Sequence, residues 1–166
     1  IVGVDSEEGK GSCFWVKLPV KDETQTKQNN AEIKEESQKF DFDDLKILIA
    51  EDDSISSKHL TILLENKTKQ LLYSVLGRET IKMCKKNPDI DLVLMDVKMP
   101  DINGYEATKE IRKFNRDVKI IAQTAYALPD EREKALAVGC DEYISKPINA
   151  DLLFGLIRKT FNNKRR

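Results

Sequence analysis

The chain has 166 residues, room for one domain of ordinary size and a tail or two. Lys+Arg 28 against Asp+Glu 29 leaves a net charge of -1, so no overall basic field exists to hold nucleic acid. No apolar run approaches the roughly 20 residues of a membrane span, and no signal peptide opens the chain, which begins at Ile1 in mid-pattern like a piece of something larger.

The first 20 residues carry two short strand-like runs, Ile1–Val4 and Ser12–Leu18, joined by a Gly-rich turn at Glu8–Gly11. Alone they make only a marginal hairpin. Lys21–Asp44 then holds four lysines and eight acids, with Ala31, Ile33, Phe40 and Phe42 its only apolar residues. Such a stretch cannot offset the entropy of ordering it, so about 21–40 reads as a linker; a solvated helix around Ala31–Lys39 is the alternative.

Beyond the linker, strands and helices alternate. Leu45–Ala50 is a short continuous apolar run, followed by a helix over Ser54–Asn66 with Ser54 as its cap. Leu71–Leu76 and Glu79–Lys86 form a second, weaker pair. Asp91–Met95 is a third apolar strand and Gly104–Phe114 has helical spacing. Val118–Ala122 leads to a helix over Pro129–Val138, with Pro near its first turn and Gly139 past its end. Glu142–Ser145 is a fifth strand and Asn149–Phe161 the last helix. Five apolar strands alternating with five helices predict a parallel sheet covered on both faces, a doubly wound α/β domain.

In such folds the site lies beyond the C-terminal strand ends. Here those ends run into Glu51-Asp52-Asp53, Asp96, Thr124-Ala125 and Lys146-Pro147. Clustered carboxylates repel one another unless a cation joins them, and oxygen-only ligands select a hard ion, Mg²⁺. With Lys146 as a fixed cation and Thr124 as a hydroxyl donor, the set suits a phosphoryl group accepted by a carboxylate. No GxxxxGK[ST] loop is present, which argues against a nucleoside triphosphate site. Each residue also has a plainer reading: Glu51–Asp53 as helix caps, Asp96 as a loop acid, Lys146 as a surface lysine. Their joint position at four strand ends favours the chemistry. Cys13, Cys84 and Cys140 lack metal-ligand spacing and read as reduced thiols, and His59 reads as a structural residue of the first helix.

The runs LKILIAEDD (45–53), LVLMDVKMPDING (92–104), IIAQTA (120–125) and YISKPI (143–148) resemble the receiver domains of two-component signalling, most closely those of hybrid sensor histidine kinases. The resemblance implies a (βα)5 flavodoxin-like sandwich with sheet order 2-1-3-4-5, counted from Leu45–Ala50, over residues 43–163. It implies Asp96 as phosphoacceptor, with Glu51, Asp52, Asp96 and the Lys98 carbonyl holding Mg²⁺. Thr124, Ala125 and Lys146 would contact the phosphoryl group, and Thr124 with Tyr143 would form a switch. Asp53 falls one place beyond the acidic pair and is not expected to be a ligand. Asn103 stands where an Asp is usual, and Asn-Gly still makes a good turn. Leu76 and Thr80 replace residues that are usually Asn and Ala.

The segment GKGSCFWVKLP (9–19) is similar to the last glycine box and closing strands of a histidine-kinase ATP-binding domain. Residues 1–20 are then a remnant of that domain, 21–42 a polar linker, and no complete kinase core is present. The resemblance implies a histidine kinase or histidine phosphotransfer domain as partner. It further implies no nucleic acid or membrane contact by this fragment, a monomer or weak dimer, and a cytoplasmic location with a parent protein that could be membrane-anchored. Two rival functions are a receiver-like interaction module that is never phosphorylated, and a phosphatase using a strand-end Asp. The phosphatase chemistry wants a second Asp two residues after the nucleophile, where Lys98 stands.

Overall fold

The computed structural model describes residues 2–7, 9–16, 42–125 and 129–162. The linker before Phe42, its helical alternative and the end of the second predicted strand lie outside them. The chain divides into two compact units, Ile1–Gln38 and Lys39–Arg166.

The first unit is an antiparallel hairpin of β1 (Val2–Glu7) and β2 (Gly11–Val16). The first strand runs three residues beyond the predicted Val4. Its polar end is paired across the ladder: Ser6 Oγ lies 2.8 Å from Ser12 Oγ, and Trp15 Nε1 donates to Asp5 Oδ2 at 3.1 Å. Apolar content alone therefore understated the strand.

The second unit contains β3 (Lys46–Ala50), α1 (Ser54–Leu64), β4 (Gln70–Ser74), α2 (Gly77–Lys86), β5 (Leu92–Asp96), α3 (Gly104–Arg112), β6 (Lys119–Thr124), α4 (Pro129–Ala137), β7 (Glu142–Ser145) and α5 (Ala150–Asn162). All neighbouring strands are parallel, in the order β4-β3-β5-β6-β7, which is the expected 2-1-3-4-5. Period-two alternation splits the core. Leu48, Ala50, Val93, Met95, Ile120 and Ala122 pack on one face with Cys84, Ala107, Ile111 and Ala135. Ile47, Ile49, Leu92, Leu94, Ile121 and Ile144 pack on the other with Leu60, Leu64, Leu153 and Ile157. Burial on both faces explains why β3 and β5 read as continuous apolar runs rather than alternating ones. Phe42, counted with the linker in the sequence, belongs to this body: its ring meets Phe154 edge-on at 5.4 Å. Cys84 and Cys140 are buried free thiols, pushed up to about 11 by desolvation, and Cys13 is free and exposed.

Local rules moved several boundaries. The cap of α1 is Asp53, not Ser54: Asp53 Oδ2 accepts from Ser56 N at 2.7 Å, while Ser54 is the first helical residue. Asn103 makes no turn but caps α3, accepting from Glu106 N at 2.9 Å while Glu106 returns a bond to Asn103 N at 3.2 Å. The second strand stops at Ser74, short of the predicted Leu76, and α2 begins at Gly77 rather than Glu79. Thr80 is fully buried, its Oγ1 2.8 Å from Ser74 Oγ, so a hydroxyl pair holds α2 to β4.

Gln123 of β6 is fully buried, and its amide oxygen and nitrogen have no hydrogen-bond partner among the described residues. Burying such a group costs about 1–3 kcal/mol. Gln123→Met, close in shape, should therefore raise the free energy of unfolding by about 1–3 kcal/mol in urea titration. A lowered value would show that the amide is paired in solution.

Candidate functional site

The C-terminal ends of β3, β5, β6 and β7 form one edge, and backbone bonds tie their loops together. Glu51 N donates to Ser74 O at 3.0 Å, Val97 N to Gln123 O at 3.0 Å, and Lys146 N to Thr124 O at 2.7 Å. The loop after β5 folds back so closely that a Cβ on Gly104 would collide with the carbonyl of Asp96, so only glycine fits there. Gly104 N donates to Val97 O at 3.0 Å and closes that loop.

Into this edge point the predicted residues. Lys146 Nζ lies 2.6 Å from Glu51 Oε2 and 3.0 Å from Asp96 Oδ2, so one ammonium bridges two buried carboxylates. Asp96 Oδ1 also accepts from Lys98 N at 3.2 Å. Glu51, Asp52 and Asp96 each bring a carboxylate oxygen within 4.8 Å of the others, Asp52 from an exposed position. An all-oxygen, acidic set of this kind suits a divalent metal ion. Asp53 faces elsewhere; capping Ser56 lowers its pKa, and it does not join the cluster.

The electrostatics follow from burial. Desolvation, opposed by the hydrogen bond from Lys146 and aided by the charge on Asp96, raises Glu51 to about 7. Burial works against the Lys146 ammonium, but its bonds to Glu51 and Asp96 outweigh that and raise its pKa. The site is thus a cationic bridge held between acids, one of which burial pushes toward its protonated form.

Thr124 is the last residue of β6, buried, beside exposed Ala125. Tyr143 does not lie directly opposite it. The register pairs Tyr143 with Ala122 and Thr124 with Ser145, so the two sit diagonally on one face. Tyr143 is half-buried against the cluster that includes Ala122. His59 lies 3.1 Å, through Nε2, from the carbonyl of Ile148, a contact that joins α1 to the loop before α5.

Sequence reasoning missed a second polar centre at the opposite end of the sheet, where Asp141 gathers Arg112 and Lys119. No local signal marks it, because Arg112 ends α3, Lys119 opens β6 and Asp141 precedes β7, and the three meet only once those elements are assembled.

Three carboxylates and one lysine at the C-terminal edge of a parallel sheet define a doubly wound α/β domain with its site where that class keeps it. The chain belongs to the response regulator receiver domain family, whose model matches residues 47–158. It is 36% identical over 120 residues to hybrid signal transduction histidine kinase I of Dictyostelium discoideum, covering 68% of this chain but only 7% of that relative. It is similar to the Saccharomyces cerevisiae structure of a histidine phosphotransfer protein with the receiver domain of its downstream response regulator. That likeness has a TM-score of 0.64, with 30% identity, and covers 72% of this chain and 88% of that one. A 22% identical chain from the CheX-CheY-BeF3-Mg²⁺ complex of Borrelia burgdorferi shares the fold, with a TM-score of 0.65 over 70% of this chain and 89% of that one. Among the described residues no helix is long and apolar enough to cross a membrane.

Proposed function

We propose that residues 43–163 accept a phosphoryl group from a phosphohistidine onto Asp96 and relay a two-component signal, as part of a hybrid histidine kinase. The observation that carries the reading is the single ammonium of Lys146 bridging Glu51 and Asp96, with Asp52 beside them. In the transfer the phosphorus–nitrogen bond of the donor breaks, a phosphorus–oxygen bond to Asp96 forms, and the departing imidazole takes up a proton from solvent to leave as neutral histidine. The partly buried Lys146 is free to exchange a carboxylate for a phosphoryl oxygen without moving far, since it already touches Asp96. Thr124 and the Ala125 N–H close the other side of the phosphoryl pocket. The donor is a histidine kinase or histidine phosphotransfer domain. A groove of about 310 Å³ lined by Ile55, His59, Pro147 and Ile148 adjoins Lys146 and suits its approach. The hairpin β1–β2, with its glycine-bearing loop, is the end of an ATP-binding domain.

The oxygen set fits Mg²⁺, held by Glu51, Asp52, Asp96 and the Lys98 carbonyl; when bound, the ion would offset the negative charge that a phosphoryl group brings to an acidic site. Asp52→Ala should then weaken Mg²⁺ binding at least about tenfold, and Asp53→Ala far less, in titration calorimetry. The reverse ranking would shift the acid pair by one residue. Binding must also displace the Glu51 proton, so affinity should climb about tenfold per pH unit below 7 and flatten above it. Without metal, the folded chain holds that proton more tightly than the unfolded chain. This group's contribution to stability is therefore full below 4.5 and fades as pH rises through about 7, and Mg²⁺ should raise the thermal midpoint more near pH 8 than near pH 6.

The signal leaves through Thr124. A charge-assisted hydrogen bond from its hydroxyl to the phosphoryl group would bias the packing of Tyr143 and reshape the α4–β7–α5 surface. Thr124→Ala should still permit phosphorylation of Asp96 but leave the Tyr143 ring resonances unmoved by beryllofluoride, a phosphoryl mimic. An undiminished response in that variant would break the proposed coupling.

A further inference from the structure

The surface formed by α2 and the outer edge of the sheet is not used by the phosphoryl site. There an open groove of about 610 Å³ has an apolar floor of Val75, Leu76 and Met83. Val75 is 53% and Leu76 39% exposed, although both follow directly from the edge strand β4. Leu76 occupies the N-cap of α2 and makes no side-chain capping bond. Asn, Asp or Ser would satisfy an orphan N–H at that position, and Leu cannot. Part of the loss is made good from elsewhere: Asp101 accepts from Arg78 N, an N–H of the first turn, at 3.3 Å, while Glu79 Oε2 ties down the preceding residue through Val75 N at 3.1 Å. The fold therefore contains a compensating cap beside a leucine that it displays rather than buries.

The rim is charged with one sign left over. Arg78, Lys82 and Lys86 recur every fourth residue and stand in a row along α2. Both acids of the groove are engaged, Glu79 at the start of α2 and Asp101 with Arg78 at 3.8 Å. Lys82 and Lys86 form no ion pair among the described residues. Lys86 has a local reason, since it sits in the last turn of α2 where a cation complements the helix dipole, but Lys82 stands a turn earlier. The wall opposite is the loop after β5: a Cβ on Gly77 would strike the Ile102 carbonyl, so the loop carrying Asp101 is pressed directly on α2.

We propose that this groove docks an amphipathic helical segment of a partner protein, one with an apolar stripe for Val75, Leu76 and Met83 and a flanking row of carboxylates for Lys82 and Lys86. Recognition of an apolar helix face in a groove supplies the affinity, and the charges at matching four-residue spacing set orientation and exclude basic partners. Because the wall is the loop that follows Asp96, an occupant here touches the segment next to the phosphoryl site without covering it.

The test uses the whole, unphosphorylated chain, so its result is separate from that of the phosphoacceptor reading. The probe is a synthetic helical peptide with a glutamate stripe beside a leucine stripe, compared with its lysine counterpart. The glutamate peptide should shift the methyl resonances of Val75, Leu76 and Met83, and the lysine peptide should not. Lys82→Glu with Lys86→Glu should weaken binding at least about tenfold. Leu76→Asn should weaken it similarly while leaving the thermal midpoint unchanged or higher. Equal binding of the two peptides, shifts confined to other surfaces, or no loss on charge reversal would overturn the proposal. So would a lowered midpoint in Leu76→Asn, because Leu76 would then serve the core.

Discussion

Asp96→Asn should fold normally and gain no phosphoryl group from acetyl phosphate and Mg²⁺, whereas the parent chain should gain one, prevented by EDTA. The loss should be complete on the timescale of parent labelling, because an amide oxygen is a far weaker nucleophile than a carboxylate. Folding should be preserved because Asn keeps an acceptor for Lys98 N, which bonds Asp96 Oδ1 at 3.2 Å. Removing the charge also relieves Glu51, whose raised pKa owes part of its shift to Asp96, so Glu51 should titrate lower in this variant. Intact mass reads the first outcome and carboxyl chemical shifts the second. A phosphoryl adduct persisting in Asp96→Asn would place the acceptor elsewhere.

Asp141→Ala should destabilise the domain by about 2–4 kcal/mol, a large share of the roughly 5–15 kcal/mol that holds a domain folded. Asp141 accepts from Arg112 Nη2 at 2.9 Å, from Lys119 Nζ at 2.6 Å and from Ile120 N at 2.9 Å. Arg112 extends the centre to the carbonyls of Gly139 at 2.8 Å, Asn115 at 3.2 Å and Val118 at 2.8 Å. Truncation would leave two largely buried cations without a counter-charge; the estimate stays below that for a fully buried pair because these side chains keep 18% and 15% of their exposure. The centre lies at the N-terminal ends of β6 and β7, away from Asp96. Folded Asp141→Ala protein should therefore still accept a phosphoryl group, while its urea midpoint falls. Unchanged stability would mean that the cations find water or other partners at no cost.

The alternation of apolar strands and helices was legible because a parallel sheet buried on both faces needs unbroken apolar runs such as Leu92–Met95, and few other folds do. The acidic positions were legible for a related reason: once strands are counted, Glu51, Asp52 and Asp96 must share an edge. Caps were less so. Whether Asp53 or Ser54 caps α1 depends on one backbone conformation, and Asp53 adopts φ −78° and ψ 117° while Ser54 is already helical. The polar end of β1 and the capping role of Asn103 escaped for the same reason, since each rests on hydrogen bonds between residues whose types are common in turns.

By itself, then, the chain's residue pattern determined the sheet, its covering helices and the edge where chemistry could occur, because periodicity and strand-end position are local properties. Only the tertiary structure decided which charges meet. Strand-end position already placed Lys146 beside Glu51 and Asp96, but Arg112 reaches Asp141 across 29 residues and Lys119 reaches it across 22. Ion-pair partners are chosen by distance and burial in space, where a desolvated charge must find its counter-charge, and no spacing in the sequence encodes that choice.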